Sequence, residues 1–312
     1  MNFRQRLASV APEKETVLTI GVFDGIHQGH RHLLKRLVQL AGSDYLPTVL
    51  TFSNHPITVL RPGLRVGHII SPEDKLSLLK EQGIVLAVCL EFTEELSQVS
   101  AGEFAAMLVD SLRMKGLVVG PDFALGKDRQ GDVNFLRKKG AELGFWVEAV
   151  EPLEMTGEMI KSRRIRASLE SGDVSACAQM LGRKFSLQGV VVEGDHRGKE
   201  LGFPTANLDV SSRMVLPGDG IYATWATTDG VRRPSATSIG VRPTFEPSER
   251  LVEVYVMDFN ENLYGKTMTV EFVSKTRGQE AFPSIEALVD QIGQDVADCR
   301  VALAEDARAG VA

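Results

Sequence analysis

The chain has 312 residues, a formal net charge of −6 and three widely spaced cysteines that follow no metal-binding or disulfide pattern. This length is enough for two ordinary domains, and the mildly acidic balance disfavours a nucleic-acid or membrane-surface binder. No apolar run approaches the ~18 residues that a membrane span requires and the N-terminus lacks a secretory core, so we expect a cytoplasmic protein.

From about residue 16 to residue 150, apolar runs alternate with amphipathic helical patterns. The runs typical of buried strands are Val17–Phe23, Leu46–Phe52, Ile84–Leu90, Leu117–Gly120 and Phe145–Val150. Ser71, Ser100 and Asp132 are predicted N-caps of helices between these runs. Strands that alternate with helices predict a parallel sheet with helices on both faces, and such sheets bind ligands beyond the carboxyl ends of their strands.

The segment between the first strand and the first helix, residues 21–30, reads G-V-F-D-G-I-H-Q-G-H. Gly21, Gly25 and Gly29 permit a tight turn close to a ligand. His27 and His30 fall at or just before the helix N-terminus, where free N–H groups and a partial positive charge favour phosphate. The pattern favours a nucleotide-phosphate site. A metal pair, which lacks further ligands nearby, and a capped surface turn are the alternatives.

After about residue 183 the pattern changes to short strand-like runs joined by turn-rich segments without helical periodicity. These runs are Ser186–Val192, Ile221–Thr227, Ala236–Ile239, Leu251–Met257 and Met268–Val273. Several such strands predict a small barrel or sandwich. The segment Ser284–Leu303 reads as one closing helix with Ser284 as its cap, and the residues on its apolar face are Ile285, Leu288, Val289, Ile292 and Val296. Two short helices precede Gly182, so the predicted domains are residues 1–182 and 183–312.

A second glycine-rich segment, residues 194–207, reads G-D-H-R-G-K-E-L-G-F-P-T-A-N. Its glycines, Gly194, Gly198 and Gly202, allow backbone N–H groups to approach a phosphate closely. Thr205 and Asn207 can offer oxygens to a hard cation. The segment is not a Walker A loop, since its spacing is one residue short and no Ser or Thr follows its lysine. Its composition fits both a magnesium-nucleotide site and a hairpin loop with solvated charges.

Four motifs, taken in order, resemble one bacterial family. They are G-x-F-D-G-x-H-x-G-H at 21–30, T-F-S-N-H-P at 51–56, V-V-G-P-D-F at 118–123 and L-G-F-P-T-A-N at 201–207. The first resembles the nucleotidyltransferase signature, and the set is similar to the bifunctional riboflavin kinase/FAD synthetases over residues 15–305. The resemblance implies an N-terminal Rossmann-like nucleotidyltransferase domain with a parallel sheet and a C-terminal six-stranded antiparallel β-barrel with a closing helix. It also implies that ATP phosphorylates riboflavin to FMN, and that a second ATP adenylylates FMN to FAD with release of pyrophosphate.

In the first domain, the resemblance implies that His27 and His30 are catalytic and contact the phosphates of ATP. The residues that it implies bind nucleotide or flavin are Gly21, Phe23, Asp24, Gly25, Asp122, Phe123, Ser162 and Arg166. One departure concerns the loop after the last strand, where Lys161 and Arg163 replace two hydroxyl residues of the family pattern. The departure leaves open the alternative of a riboflavin kinase with a degenerate adenylyltransferase domain.

In the second domain, the resemblance implies that Thr205 and Asn207 hold Mg²⁺ and that Glu253 is the catalytic base. Glu253 lies in the alternating run V-E-V-Y-V, on the face opposite to the valines, and without the resemblance it would read as a solvated glutamate. The residues that the resemblance adds to the nucleotide and flavin site are Gly194, Gly198, Lys199, Gly202, Pro204 and Arg277.

The expected small-molecule partners are riboflavin, FMN, FAD and ATP, and the sequence leaves open whether the chain forms a homo-oligomer. A flavin-binding carrier without turnover is a competing hypothesis, against which the presence of Thr205, Asn207 and Glu253 argues. A tRNA-charging enzyme that shares H-x-G-H is disfavoured by the short chain, its acidic balance and the lack of a recognisable RNA-binding domain.

Overall fold

The computed structural model describes residues 2–194, 198, 201–241 and 250–309. Contacts divide the chain into two compact units, Met1–Ser162 and Arg163–Ala312. The predicted boundary after residue 182 instead assigns the two short helices before it to the first domain. The structure groups these helices with the second unit, because they form hydrogen bonds with its residues. For example, the backbone N–H of Gly218 donates to the carbonyl of Leu169 at 2.7 Å.

The first unit is a five-stranded parallel sheet with helices around it. Its helices are α1 (Phe3–Ala8), α2 (Gln28–Ala41), α3 (Pro56–Leu60), α4 (Pro72–Glu81), α5 (Glu94–Ser97), α6 (Ala101–Leu112) and α7 (Val133–Leu143). Its strands are β1 (Thr16–Ile20), β2 (Leu46–Phe52), β3 (Leu86–Leu90), β4 (Met114–Val119), β5 (Ala124–Leu125), β6 (Gly131–Asp132), β7 (Trp146–Ala149), β8 (Glu154–Met155) and β9 (Glu158–Met159). The parallel sheet has the order β3-β2-β1-β4-β7, and β5–β6 and β8–β9 are separate hairpins.

Both faces of this sheet are buried, as its apolar runs predict. Val17 of β1 packs with α2 and α4 on one face, whereas Leu18 and Ile20 pack with α1, α6 and α7 on the other. Alternation along each strand therefore supplies two cores, one on each side of the sheet. The predicted N-caps are confirmed: Ser71, Ser100 and Asp132 each accept a hydrogen bond from the backbone N–H three residues on, at 3.0, 3.2 and 2.7 Å.

The strand order places a crevice at the carboxyl ends of β1 and β4. From β1 the chain proceeds outward through β2 to β3, and then returns to the opposite side of β1 as β4. Connections that leave two neighbouring strands in opposite directions open a gap beyond their carboxyl ends, where ligands bind in open parallel sheets. The segment 21–30 follows β1, and residues 120–123 follow β4, so both motifs lie at this gap.

The second unit is a closed six-stranded barrel with helices before and after its strands. It contains α8 (Ser162–Ser171), α9 (Val174–Leu181), β10 (Ser186–Val192), β11 (Ala206–Val210), β12 (Gly220–Thr228), β13 (Val231–Val241), β14 (Arg250–Val256), β15 (Thr267–Arg277) and α10 (Ile285–Ala309). The strand order is β10-β11-β14-β13-β12-β15, with β10 and β15 also paired. Closure confirms the antiparallel barrel and removes the open edges of the sheet.

The closing helix α10 begins as predicted, since the backbone N–H of Ala287 donates to the Ser284 hydroxyl at 3.2 Å. Its buried face continues the predicted stripe, since Val296 packs against the barrel core and Cys299 and Leu303 lie further along the same face. Ile285 is 65% exposed, whereas Asp295, Cys299 and Leu303 are buried. The burial of Asp295 was not predicted, because its counter-ion, Arg277, lies on a strand and is not visible in the helix sequence.

Asp295 on α10 forms an ion pair with Arg277 at the end of β15. Nε and Nη2 of Arg277 donate to the two carboxylate oxygens at 2.7 and 2.6 Å, and Gln291 donates a third bond at 2.9 Å. Removing one partner of a buried pair leaves the other charge uncompensated. We therefore expect Asp295→Ala to lower the free energy of unfolding of the second unit by about 3 kcal/mol.

The measurement is urea denaturation followed by Trp225 fluorescence in a Trp146→Phe background, because Trp225 donates to Asp306 of α10 and so reports on this unit. Asp298→Ala is the matched control, since Asp298 is exposed and accepts only from Gln294 among the described residues. The control is expected to change stability by less than about 0.5 kcal/mol. Equal losses in both variants would contradict a stabilising role for the ion pair.

No helix in the described part of the chain is long and apolar enough to cross a membrane. Cys177 and Cys299 are buried, and burial raises the pKa of each thiol to about 12. Cys89 is half-buried. Within the same described residues, no group of three or more His, Cys, Asp or Glu side chains is arranged to hold a metal ion.

Candidate functional site

Two histidines stack at the start of α2, where the chain leaves β1. His27 is the N-cap, and its Nδ1 accepts a hydrogen bond from the backbone N–H of His30 at 3.2 Å. The two imidazole rings lie 3.6 Å apart between centroids and within 15° of parallel. Because Nδ1 accepts, a neutral His27 carries its proton on Nε2 and can donate from there. The prediction that both histidines lie at a helix N-terminus is confirmed.

His30 is held as a neutral imidazole. The pKa of its side chain lies well below the usual value, mainly because the ring is removed from water and in part because of the electrostatic effects of His27 and Lys75. Its Nδ1 is buried and has no hydrogen-bond partner among the described residues. At pH 7 this ring is therefore a neutral hydrogen-bonding group in the first turn of α2.

The loop between β1 and α2 has a strained backbone. Phe23, Gly25 and Ile26 have φ angles of +50°, +83° and +38°. For residues other than glycine, such a conformation costs roughly 1–3 kcal/mol each and persists only where the surroundings enforce it. Here two hydrogen bonds to Asp24 hold the loop: the Ile69 N–H donates to its carboxylate at 2.9 Å, and the Ser162 hydroxyl donates to its carbonyl at 3.1 Å.

Two residues of this loop that were predicted to bind a ligand, Phe23 and Asp24, have buried side chains. The side chains of Phe23 and Asp24 are 2% and 3% exposed, so they are turned into the protein. Phe23 packs edge-on against the His30 ring with 5.1 Å between centroids, and a Cβ at Gly21 would approach the Phe23 ring to 3.0 Å. These residues shape the loop and support His30, and their contact with a ligand stays a prediction.

A cavity of about 300 Å³ opens beside the two histidines, at the gap between β1 and β4. Its lining includes His27, Gly29, His30, Gly120, Asp122, Ile160, Lys161 and Ser162. Phe123, predicted to contact the ligand, is partly buried and packs at the margin of the core. Lys161 carries its ammonium 3.9 Å from the exposed Asp122 carboxylate. The cavity therefore combines a helix N-terminus, two imidazoles and a cation, which suits a small anionic ligand.

Two further residues extend this description. Arg166, which the resemblance assigns to the phosphate loop, lies half-buried on α8 and belongs to the second unit. Lys75 of α4 was not predicted, although it is only 5% exposed. The signal was present in the sequence, because Lys75 and Leu79 are four residues apart and share the buried face of that helix.

In the second unit, a polar row crosses the outer face of the barrel. Glu253 of β14 is directly opposite Asn207 of β11 on one side and Ser238 of β13 on the other. Directly opposed residues of antiparallel strands project from the same face. The alternating residues of β14, Val252, Val254 and Val256, are buried on the other face, inside the barrel. A ligand that reaches the half-buried Glu253 therefore approaches from outside the barrel.

The oxygen donors predicted for Mg²⁺ lie beside this row. The amide Oδ1 of Asn207 is buried without a hydrogen-bond partner among the described residues. A Cβ at Gly194 would lie 2.0 Å from the Asn207 amide nitrogen, and one at Gly198 would lie 3.1 Å from the Thr205 hydroxyl. An unsatisfied amide oxygen and a neighbouring hydroxyl are ligands that a hard cation accepts, so these residues fit Mg²⁺.

The remaining predicted residues of this site are more exposed or are already engaged. Gly202 has a φ of +86° and Pro204 is exposed, while Lys199 lies outside the described residues. Arg277 uses Nε and Nη2 for Asp295 and donates from Nη1 to the carbonyl of Gly278 at 2.9 Å. The structure therefore shows Arg277 bound to the closing helix, a contact that its strand sequence does not reveal.

Comparison with known proteins assigns each unit to a family. Residues 9–164 match the family model described as FAD synthetase, and residues 181–303 match the model described as riboflavin kinase. The bifunctional riboflavin kinase/FMN adenylyltransferase of Pseudomonas fluorescens is 36% identical over 98% of this chain and 99% of its own length. The protein of the same description from Escherichia coli strain K12 is 34% identical over 92% of each chain.

A solved structure is also similar over most of the chain. It is the crystal structure described as a macrolide-efflux protein from Streptococcus pneumoniae, with a TM-score of 0.86 and 31% sequence identity. The similarity covers 93% of this chain and 95% of that one. It supports the same fold, while the two family models and the curated relatives carry the assignment of activity.

Proposed function

Because the chain belongs to the family of bifunctional riboflavin kinases/FMN adenylyltransferases and carries both activities, we propose that each compact unit holds one of the two active sites. The observation that supports this division is the position of the two polar sites. The cavity beside His27 and His30 lies in residues matched by the FAD synthetase model, and the Asn207–Glu253 row lies in residues matched by the riboflavin kinase model. Both models match, which argues against the alternative of a riboflavin kinase alone.

For adenylyl transfer, we propose that the cavity binds the phosphates of ATP at the N-terminus of α2. A phosphate oxygen of FMN attacks the α-phosphorus of ATP, a new P–O–P bond forms, and the bond to the β-phosphate oxygen breaks to release pyrophosphate. The nucleophile is already ionised, so no general base is required. His27 Nε2, the His30 ring and the free N–H groups of α2 stabilise the charge that develops, and the strained loop fixes them before the substrate arrives.

Lys161 gives a physical account of the departure from the family pattern. Its ammonium lines the same cavity as the two histidines and is held only loosely, 3.9 Å from Asp122. The Lys161 ammonium at the rim of the cavity can attract a polyphosphate through its charge. The hydroxyl residue of the family pattern, which Lys161 replaces, would bind the same phosphates by hydrogen bonding. We propose that adenylyl transfer tolerates this replacement, which fits the match of residues 9–164 to the FAD synthetase model.

For phosphorylation, we propose that Glu253 accepts the proton of the riboflavin 5′-hydroxyl as that oxygen attacks the γ-phosphorus of ATP. The bond to the β-phosphate oxygen breaks, and ADP leaves. Thr205 and Asn207 would hold Mg²⁺, which when bound neutralises charge on the phosphates of ATP. Gly194 and Gly198 allow the backbone to lie against these two side chains, where a Cβ would not fit.

The test of the proposed function is a time course with purified protein, riboflavin, ATP and Mg²⁺, in which riboflavin, FMN and FAD are separated by chromatography. We expect FMN to accumulate first and FAD to follow. Chelation of Mg²⁺ with excess EDTA is expected to stop FMN formation. FMN without any FAD, even when FMN is supplied directly, would contradict the proposed activity of the first unit.

The expected partners follow from these reactions. Riboflavin, FMN, FAD and ATP are their substrates and products, and a cytoplasmic location is proposed because both reactions consume ATP. Nucleic acid is not expected as a partner, since the formal net charge of −6 gives no general attraction for a polyanion.

A further inference from the structure

Lys75 is a buried cation that the proposed reactions do not use. It lies on α4 with 5% of its surface exposed. Its Nζ donates to the carbonyls of Phe52 and Val22 at 2.7 and 3.3 Å and to the Thr51 hydroxyl at 3.2 Å. Burying an ammonium is costly unless it is hydrogen-bonded, and an apolar residue on this face would avoid that cost. The position of Lys75 therefore calls for a role other than core packing.

The hydrogen bonds require Lys75 to be charged. The Thr51 hydroxyl donates its own hydrogen to the Val22 carbonyl at 3.0 Å, so its oxygen can only accept from Lys75. The other two partners are carbonyls, which also only accept. Three acceptors need three N–H donors, which an ammonium has and a neutral amine does not. Burial lowers the pKa of Lys75 from its usual value. The three hydrogen bonds act against this effect, because they favour the protonated form.

The three bonds join the end of β2 to the entrance of the strained loop. Val22 immediately precedes Phe23, the first residue of that loop with a positive φ. Ile69 and Ser162 hold the loop further along, at Asp24. Lys75 thus fixes the point at which the chain enters the loop that delivers His27 to the N-cap of α2.

The charge of Lys75 also acts on the stacked histidines. The groups that influence Lys75 are Asp24 of the loop and Cys89 of β3, both of which raise its pKa. On the side of α2, burial is the main cause that lowers the pKa of His30, and the electrostatic effects of His27 and then Lys75 lower it further. The three hydrogen bonds of the Lys75 ammonium described above go to uncharged oxygens.

We propose that Lys75 is a positioning residue for adenylyl transfer, whose ammonium fixes the entrance of the 23–26 loop and whose positive charge acts on His30 before ATP binds. The inference rests on the proposed function of the first unit. It assigns Lys75 no contact with substrate, since its three hydrogen bonds are all to the protein.

The test compares Lys75→Met with Lys80→Met, a control on the exposed face of the same helix. The first measurement is an NMR titration of the His30 ring in the full-length protein without ATP. The second is the pH dependence of kcat/KM for ATP in the conversion of FMN to FAD, which reports groups of the free enzyme. FMN formation from riboflavin by the same samples controls for the integrity of the other unit.

Loss of the cation should raise the pKa of His30, so that its ring becomes charged at a higher pH than in the unmodified protein. The acid limb of kcat/KM is then expected to move to higher pH in Lys75→Met, and FAD formation at neutral pH to fall by about ten- to a hundredfold because the loop is also loosened. Lys80→Met and FMN formation are expected to remain as in the unmodified protein.

An unchanged His30 titration in Lys75→Met, or an equal loss of rate at every pH, would overturn the inference. If Lys75→Met does not fold, the Lys75→Arg variant tests the inference, because it retains the positive charge. Its His30 titration should match that of the unmodified protein, and a displaced titration would contradict the role of the charge. Failure of the unmodified protein to make FAD would instead count against the proposed function, and the NMR titration would still test Lys75.

Discussion

Substitution of His30 by alanine should lower FAD formation from FMN by about 10²–10³-fold and leave FMN formation from riboflavin unchanged. The magnitude is that expected when one preorganised donor to a developing negative charge is removed. His30 is suited to this role because it is stacked on the N-cap His27 and is kept neutral by its surroundings. Its loss would also leave a space beside Phe23, whose ring packs edge-on against it.

The two activities are measured separately on each protein preparation, one with FMN and ATP and the other with riboflavin and ATP. His30→Asn is a useful companion variant, since it retains a neutral hydrogen-bonding side chain and should lose less activity than His30→Ala. Equal loss of FMN and FAD formation in His30→Ala would show that the two sites are not independent. An undiminished rate of FAD formation would remove His30 from the proposed mechanism.

Local patterns in the sequence were enough to predict most of the fold. The limits of β2 and β10 agree with the predicted runs to the residue, because each is an apolar or alternating segment bounded by polar turns. N-caps such as Ser71 depend on neighbours three residues away and are equally local. β11 was missed because its five residues begin within the P-T-A-N motif, and only pairing with β10 and β14 defines it as a strand.

The sites were predicted less completely because they depend on contacts between distant residues. His27 and His30 could be placed at a helix N-terminus from their neighbours alone. The burial of Asp24 could not be predicted in this way, since its carboxylate accepts a hydrogen bond from the backbone N–H of Ile69, which is distant in sequence. The Asn207–Glu253 pairing likewise arises only from strand register, and the engagement of Arg277 depends on Asp295 in the closing helix.

Substitution of Glu253 by glutamine should have the opposite pattern to that of His30→Ala. We expect FMN formation from riboflavin to fall by about 10²–10⁴-fold, the usual contribution of a positioned general base, while FAD formation from supplied FMN is unchanged. Glutamine keeps the shape of the side chain beside Asn207 and Ser238 but cannot accept the hydroxyl proton. Glu261→Gln, which alters an exposed glutamate in the loop after β14, is the matched control and should retain both activities.

A mixture of the His30→Ala and Glu253→Gln proteins then tests directly whether the two activities belong to separate sites. Each protein retains one intact site, so the mixture should convert riboflavin to FAD although neither protein does so efficiently alone. FMN released by the His30→Ala protein would be adenylylated by the Glu253→Gln protein, and the rate of FAD formation should rise with the concentration of either one. Absence of FAD from the mixture, with FMN accumulating, would mean that Glu253→Gln also damages the first unit, which contradicts two separate sites.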